Sequence, residues 1–326
     1  VRVVVVEGDG IGKEVIPVAQ KILARCLPDA EFYPLEVGYG RWERTGSAIG
    51  DDDFVALKAA DAVLFGAVTT PPDPCYRSVI VRIRQELDLY ANVRPVFGKD
   101  FSVTIVRENT EGLYAGVETV EEDRATTLRV LSRKGCTRIA RFAAERAKER
   151  DAALTIAHKA NVLKSDTFFR TICIKEAEAV GVRWNEAYID ALCLDILVHP
   201  GRYSVIVTTN LFGDILSDVA AYLAGGLGLL PSANIGDGHA LFEPVHGSAP
   251  DIAGQDRANP IAAIRSAALL LAYFGETELS SAVEDAIGMT LAAGYSTPDL
   301  GGNCGTNELG AHVEEALCRI LAGPHA

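Results

Sequence analysis

The feature that most constrains this chain is its rhythm. Short β-branched runs alternate with stretches of helical periodicity: Val1 to Val6 then Lys13 to Cys26, and Ala62 to Phe65 then Ser78 to Leu87. Further apolar runs follow at Ser102 to Val106, Leu154 to Ala157 and Val205 to Thr208. Runs this short suit buried strands, and the segments between them are long enough to cross back over a sheet. The pattern predicts an α/β architecture with parallel strands and crossover helices. At 326 residues, 48% of them hydrophobic, the chain supports two domains or one large unit with a substantial core. Asn259 to Ala326 reads mostly as helix, broken by a loop rich in Gly and Pro at STPDLGGNCG. Gly112 to Lys134 alternates and carries charge without a crossover helix, which suggests a hairpin arm, either paired with a second subunit or solvated.

A net charge of −13 opposes nonspecific attraction to nucleic acid or an anionic membrane, and the basic helix from Arg133 reads as a solvated face. Seven cysteines without a CxxC pattern fit neither a disulfide framework nor a compact zinc site, and point to a reducing cytoplasm. The chain begins VRVVVVEGDG, and its longest apolar runs, such as Ala267 to Phe274, are too short to span a bilayer. A cytoplasmic protein with no nucleic-acid or membrane partner is expected.

The stretch TTNLFGDILSDVAAYLAGGLG places Asp214 and Asp218 four residues apart, on one face of a helix framed by Leu211, Ile215, Leu216 and Val219. Like charges so placed repel, and a hard divalent cation such as Mg²⁺ or Mn²⁺ relieves the repulsion while leaving positions for substrate oxygens. The alternative is that Asp214 helps start the helix and Asp218 is merely solvated.

After the first strand comes GDGIG. Its spacing departs from the dinucleotide fingerprint, which needs glycine where Lys13 stands, so it reads as a tight turn whose amides approach a ligand or as plain turn geometry. A stronger candidate for nucleotide binding is GDGHALFEPVHGSAPDIAGQDRANP, from Gly236 to Pro260, which looks too irregular for regular structure. Within it Asp251 is either a turn residue after proline or an acceptor for ribose hydroxyls, which favours NAD over NADP.

The segment YRSVIVRIRQELDLYANVRP puts Arg84 on a helix with Arg77, Ile80 and Val81 on the same face, and Arg94 follows in the next element. Arg107 opens RENTEGLY beside Tyr114. Together the arginines suit a di- or tricarboxylate, although each alone suits a surface ion pair. HKANVLK puts Lys159 after an apolar strand, at the start of a helix opened by Asn161, where burial and helix-end charge can lower the ammonium pKa so that the neutral amine acts as a base; His158 reads as structural.

Taken together, EGDGIG, RQELDLYANVRP, RENTEGLYAG, HKANVLK, YIDA, TTNLFGDILSD, SANIGD, FEPVHGSAPDIAG and TPDLGG resemble the β-decarboxylating dehydrogenases of isocitrate, isopropylmalate and homoisocitrate, in family order and over essentially the whole chain. The resemblance implies a non-Rossmann two-domain α/β fold: a large cofactor-binding domain from residues 1–92 and 226–326, a small domain from 93–225, and a dimer-forming arm near 112–133. It also implies a homodimer with shared active sites, open to higher assembly. Asp214, Asp218 and Asp190 match metal ligands. Lys159 matches the catalytic lysine, contributed with Asp190 to the neighbouring subunit's site, and Tyr114 the catalytic tyrosine. Arg84, Arg94 and Arg107 match carboxylate-binding arginines. Ile11, His246, Gly247, Ser248, Ala249, Asp251, Ile252 and Asn259 fall in the NAD-binding segments, with Asp251 and Ile252 where NADP-using isocitrate enzymes carry Lys and Tyr.

Substrate choice in the resembled family rests on the helix before Arg84. Isocitrate enzymes carry Asn two positions after Ser, and here Ser78 is followed by Val79 and Ile80. Ile80, Val81 and Val162 suit the isopropyl group of isopropylmalate. GAVTTP followed by YRSVIVRIR looks more like homoisocitrate dehydrogenases, with Ser78 on the distal carboxylate. The expected reaction is NAD-dependent, metal-dependent oxidative decarboxylation of homoisocitrate to 2-oxoadipate, ahead of isopropylmalate and then isocitrate. A noncatalytic ligand-binding subunit is the alternative from another class.

Overall fold

The computed structural model describes residues 1–73, 75–98 and 100–323; the last three residues of the expected 226–326 segment lie outside it. It resolves into two compact units, one of Val1–Leu87, Gly225–Ala233 and Gly238–Ala326, the other of Asp88–Ala224 and Asn234–Asp237.

In the first unit the strands lie in the order Glu31–Pro34, Arg2–Val6, Ala62–Phe65, Ala240–Pro244 and Pro231–Ile235, the last passing into the second unit at Asn234. Arg2–Val6 pairs in parallel with both neighbours, and Ala62–Phe65 pairs in parallel with Ala240–Pro244. Val3 to Val6 and Ala62 to Phe65 are all buried, the signature of strands covered on both faces by helices. The Gly12–Cys26 helix buries Val15, Ile16, Ala19, Ile22 and Leu23 at helical spacing. The Ile261–Tyr273 helix is apolar nearly all round because it is enclosed, packing against the Gly12–Cys26 and Thr277–Ala292 helices and the Ala240–Pro244 strand.

The second unit orders its strands Ala91–Gly98, Phe101–Glu108, Val205–Thr208, Leu154–His158 and Trp184–Tyr188. Three of these pairings are parallel, in keeping with the crossover pattern, whereas Ala91–Gly98 and Phe101–Glu108 are antiparallel. Only two residues separate that pair, too few for a crossover helix. The Arg133–Glu149 helix lays a small-residue stripe of Ala140, Ala143, Ala144 and Ala147 on the core with Ile156, Phe169, Val205 and Val207. Its basic face is partly tied down, Arg138 pairing with Asp88 at 2.7 Å and Arg141 with Glu176 at 2.8 Å. From this unit an exposed antiparallel hairpin projects, Glu118–Val120 against Ala125–Thr127, within the expected arm. Among the described residues no helix is long and apolar enough to cross a membrane.

Candidate active site

The aspartate helix runs Asn210–Ala224, so Asp214 lies in its second turn and the helix-start alternative falls away. The packing frame also differs from the expected one. Ile215 is 49% exposed, and the buried stripe is Asn210, Gly213, Leu216, Ser217, Ala220 and Ala221. Gly213 explains the close approach to the Phe101–Glu108 strand, because a Cβ there would sit 2.7 Å from Arg107 Cβ and Cγ. Gly213→Ala is expected to lower unfolding free energy by about 1–3 kcal/mol through overpacking. It should also weaken binding of an acidic substrate, because Arg107 must move. Denaturant melts together with substrate KM check both effects, and a variant matching the wild type in both would refute this packing account.

Arg107 is 1% exposed, and each of its guanidinium nitrogens has a partner. Nε and Nη2 donate to Asn210 Oδ1 at 3.0 and 2.7 Å, Nη1 donates to Asp214 Oδ1, and the group lies 5.1 Å over the Tyr114 ring. Arg94, 6% exposed, donates from Nε to Asn92 Oδ1 at 2.7 Å and from Nη1 to Ser217 Oγ at 2.6 Å. Its Nη2 lies 3.2 Å from Asp214 Oδ1, and its Nη1 lies 3.7 Å from Asp218 Oδ1. Tyr114, in the short turn Leu113–Ala115, donates its hydroxyl to Asp214 Oδ2 at 2.7 Å. Thus Asp214, Asp218, Arg94, Arg107 and Tyr114 converge, from strands, a turn and a helix of the second unit.

Sequence reasoning missed the polar scaffold beneath them. Asn210 also donates to the Glu111 carbonyl at 3.0 Å, and Asn234 accepts from both Asn92 and Asn109, at 3.0 and 2.9 Å. No local signal marks these residues, since their partners lie about a hundred positions away in sequence.

The two aspartates fit a hard cation. Asp218 is 59% exposed, as the solvated alternative expects, yet partial desolvation raises its carboxyl above the ordinary range; Arg94 and Arg107 oppose the rise and the nearby Asp214 charge adds to it. A divalent ion would favour the ionised form, and Asp214 retains acceptor capacity because a carboxylate offers about four lone-pair sites. Among the described residues of the single chain, no group of three or more His, Cys, Asp or Glu is arranged to hold a metal, so Asp190 does not join the other two within one chain.

Lys159 and Asp190 form their own pair, Nζ to Oδ1 at 2.5 Å, with Asp190 64% exposed. The lysine's hydrogen bond holds the Asp190 carboxyl below its usual range. The expected helix start at Lys159 is incorrect: it sits in a turn, and the following helix begins at Lys164. Val162, in that turn, is 67% exposed. His158 is held by Glu186 at 3.0 Å and by the Ala160 amide at 3.2 Å, in keeping with a structural role.

In the first unit Arg84 is buried on the Val79–Glu86 helix and donates to Glu243 Oε1 at 2.9 Å. Ile80 and Val81 are half-buried on that helix, whereas Arg77 precedes it and is exposed, so it shares no helical face with Arg84. Ser78 stands at the N-cap position without capping; its hydroxyl is 3.4 Å from Thr70 Oγ1.

The segment expected to be irregular contains the Ala240–Pro244 strand, and it is irregular before that strand and again from Val245. Gly10, at φ +56°, lets the GDGIG turn dock on this loop, because a Cβ there would meet the Ser248 carbonyl at 1.9 Å. Buried Ile11 donates its amide to that carbonyl at 2.9 Å, and Ser248 Oγ lies 2.7 Å from Thr69 Oγ1. Ala249 takes φ +36° and Gly247 is exposed. Desolvation lowers the His246 pKa, which favours the neutral ring. Asp251 is exposed and Ile252 half-buried. Asn259 is committed structurally, donating to Asp299 at 3.0 Å and accepting from the Ile261 amide at 3.0 Å.

Residues 2–313 match the family model described as isocitrate/isopropylmalate dehydrogenase. A 3-isopropylmalate/3-methylmalate dehydrogenase of Methanocaldococcus jannaschii is 48% identical, covering 97% of this chain and 98% of the relative. A homoisocitrate dehydrogenase of the same organism is 44% identical, covering 99% of each. The crystal structure of isocitrate dehydrogenase from Methylococcus capsulatus superposes with a TM-score of 0.94 at 38% identity, covering 98% of this chain and 99% of that one. With the convergent aspartates, arginines and tyrosine, these matches make the chain a decarboxylating dehydrogenase, acting on 3-substituted malates, of the isocitrate/isopropylmalate dehydrogenase family.

Proposed function

We propose that this enzyme oxidises and decarboxylates homoisocitrate to 2-oxoadipate with NAD, using Mg²⁺ or Mn²⁺, as a cytoplasmic homodimer with shared active sites. The observation that carries the reading is the convergence of Asp214 and Asp218 with Arg94, Arg107 and Tyr114. Asp214 and Asp218, with Asp190 of a second copy, would hold the cation. Bound there, a divalent ion supplies Lewis acidity that lowers the substrate alcohol pKa and stabilises charge as CO₂ departs. Arg84, Arg94 and Arg107 grip carboxylates and orient the acid. Lys159, directly or through its partner Asp190, accepts the hydroxyl proton as hydride leaves C2, and Tyr114 returns a proton to carbon after decarboxylation. The loop around His246, Gly247, Ser248, Ala249, Asp251 and Ile252, with Ile11, seats NAD, and exposed Asp251 repels a 2′-phosphate. Asn259 shapes that loop from its far end.

Ser78, which caps no helix, supports a distal carboxylate and hence homoisocitrate. Half-buried Ile80 and Val81, and the 48% identical relative that carries the isopropylmalate name, support 3-isopropylmalate as the second reading. A methylene is worth only about 1–3 kcal/mol of discrimination, so measurable use of both acids is expected. Initial rates of NADH and NADPH formation on homoisocitrate, 3-isopropylmalate and isocitrate, at fixed salt and Mg²⁺, decide the matter. A kcat/KM at least about tenfold higher for isopropylmalate, the effect of about 1.4 kcal/mol, rejects the first choice.

A further inference from the structure

Lys159 lies outside regular structure, yet its backbone is pinned on both sides. Its amide donates to Asp166 Oδ2 at 2.6 Å, and its carbonyl accepts from the Val162 and Leu163 amides at 3.0 and 2.9 Å. Asp166 stands in the first turn of the Lys164–Val180 helix with its side chain 0% exposed, where a carboxylate needs a charged partner. Arg129, at the base of the arm, provides it, with Nη1 2.6 Å from Asp166 Oδ1. The same guanidinium donates to Ser165 Oγ at 2.8 Å and Thr209 Oγ1 at 3.0 Å, and lies 5.2 Å over the Phe212 ring. The Thr209 carbonyl in turn accepts the Gly213 amide at 2.9 Å, in the first turn of the aspartate helix. One buried ion pair therefore joins the turn that carries Lys159 to the helix that carries Asp214 and Asp218.

We propose that Asp166 and Arg129 are positioning residues that fix the Cα of Lys159 within its own chain, and so the reach of its amine toward the shared site of the neighbouring copy. The proposal rests on Lys159 being the proton acceptor. A pair serving stability alone would lower the melting temperature without changing what Lys159 does; a positioning pair acts through that side chain.

The test compares Asp166→Asn and Asp166→Ala, each alone and in a Lys159→Ala background, with methylamine added as a replacement amine. The assay uses whichever 3-substituted malate the substrate panel favours. Asp166→Asn keeps an isosteric acceptor for the Lys159 amide, so kcat should stay within about fivefold of wild type, although the melting temperature falls. Asp166→Ala loses the acceptor, and kcat should fall about 100-fold with the KM for the acid unchanged. In methylamine-supplemented Lys159→Ala enzyme, Asp166→Ala should cost nothing further. An equal loss there, or equal kcat in the Asn and Ala variants, overturns the proposal. Wild-type turnover in Lys159→Ala alone removes the role of Lys159 itself, and it is recognised before Asp166 is touched. Should Asp166→Ala fail to melt cooperatively, Arg129→Lys replaces it: its loss of kcat should vanish in the Lys159→Ala background, and persistence of that loss overturns the proposal.

Discussion

Asp214→Asn is expected to reduce divalent-dependent NADH production by about a thousandfold or more, since Lewis acidity contributes several kcal/mol and each 1.36 kcal/mol is tenfold. Asparagine keeps the size and one acceptor oxygen, so hydrogen bonds from Tyr114 and the arginines are partly preserved. It lacks the charge that would retain a cation beside Asp218. The stability cost should be about 1–3 kcal/mol, because the neutral amide leaves buried Arg94 and Arg107 with one fewer anion while keeping one acceptor for them. Turnover at saturating Mg²⁺ and a thermal melt separate the two effects. Wild-type enzyme stripped with a chelator should fall to the variant's level, and undiminished turnover by the variant would remove the metal assignment.

Arg107→Met should give the opposite balance, a large loss of stability together with weaker substrate binding. Arg107 is almost fully buried and joins Asn210 and Asp214 beneath the Tyr114 ring. Truncation leaves the Asn210 carbonyl oxygen without its two donors and Asp214 with one fewer cation, a cost of about 3 kcal/mol. Arg107→Lys should recover only part of this, because an ammonium cannot serve both partners as a planar fork does. Urea unfolding and substrate KM measure the two consequences. An unchanged unfolding midpoint in Arg107→Met would mean that this network contributes nothing to folding.

Where apolar periodicity was strong, the fold was legible in the sequence. Val3 to Val6 is a short β-branched run bounded by a glycine turn, which reads as a covered strand, and the 3.6-residue spacing of Val15, Ile22 and Leu23 reads as one buried face of a helix. Edge strands were not legible. Trp184–Tyr188 and Glu31–Pro34 are largely exposed and carry polar residues, so nothing local distinguishes them from loop; pairing with Leu154–His158 and Arg2–Val6 makes them strands. The helix start misplaced at Asn161 has a similar origin. The turn is anchored by Asp166, which accepts the Lys159 amide and whose own charge is supported by Arg129, a residue far away in sequence.

By itself the sequence determined which residue types were available and how they were phased: two carboxylates one helical turn apart, three arginines near apolar runs, a glycine beside Asp214, and a family's motifs in order. Tertiary structure alone decided which charges meet. Arg94 and Arg107 share Asp214 Oδ1, Tyr114 takes Oδ2, and Lys159 pairs instead with Asp190. The physical reason is range: periodicity and turn chemistry act over a few residues, whereas a buried charge is stabilised by whatever the packed core brings within about 3 Å, however distant in the chain.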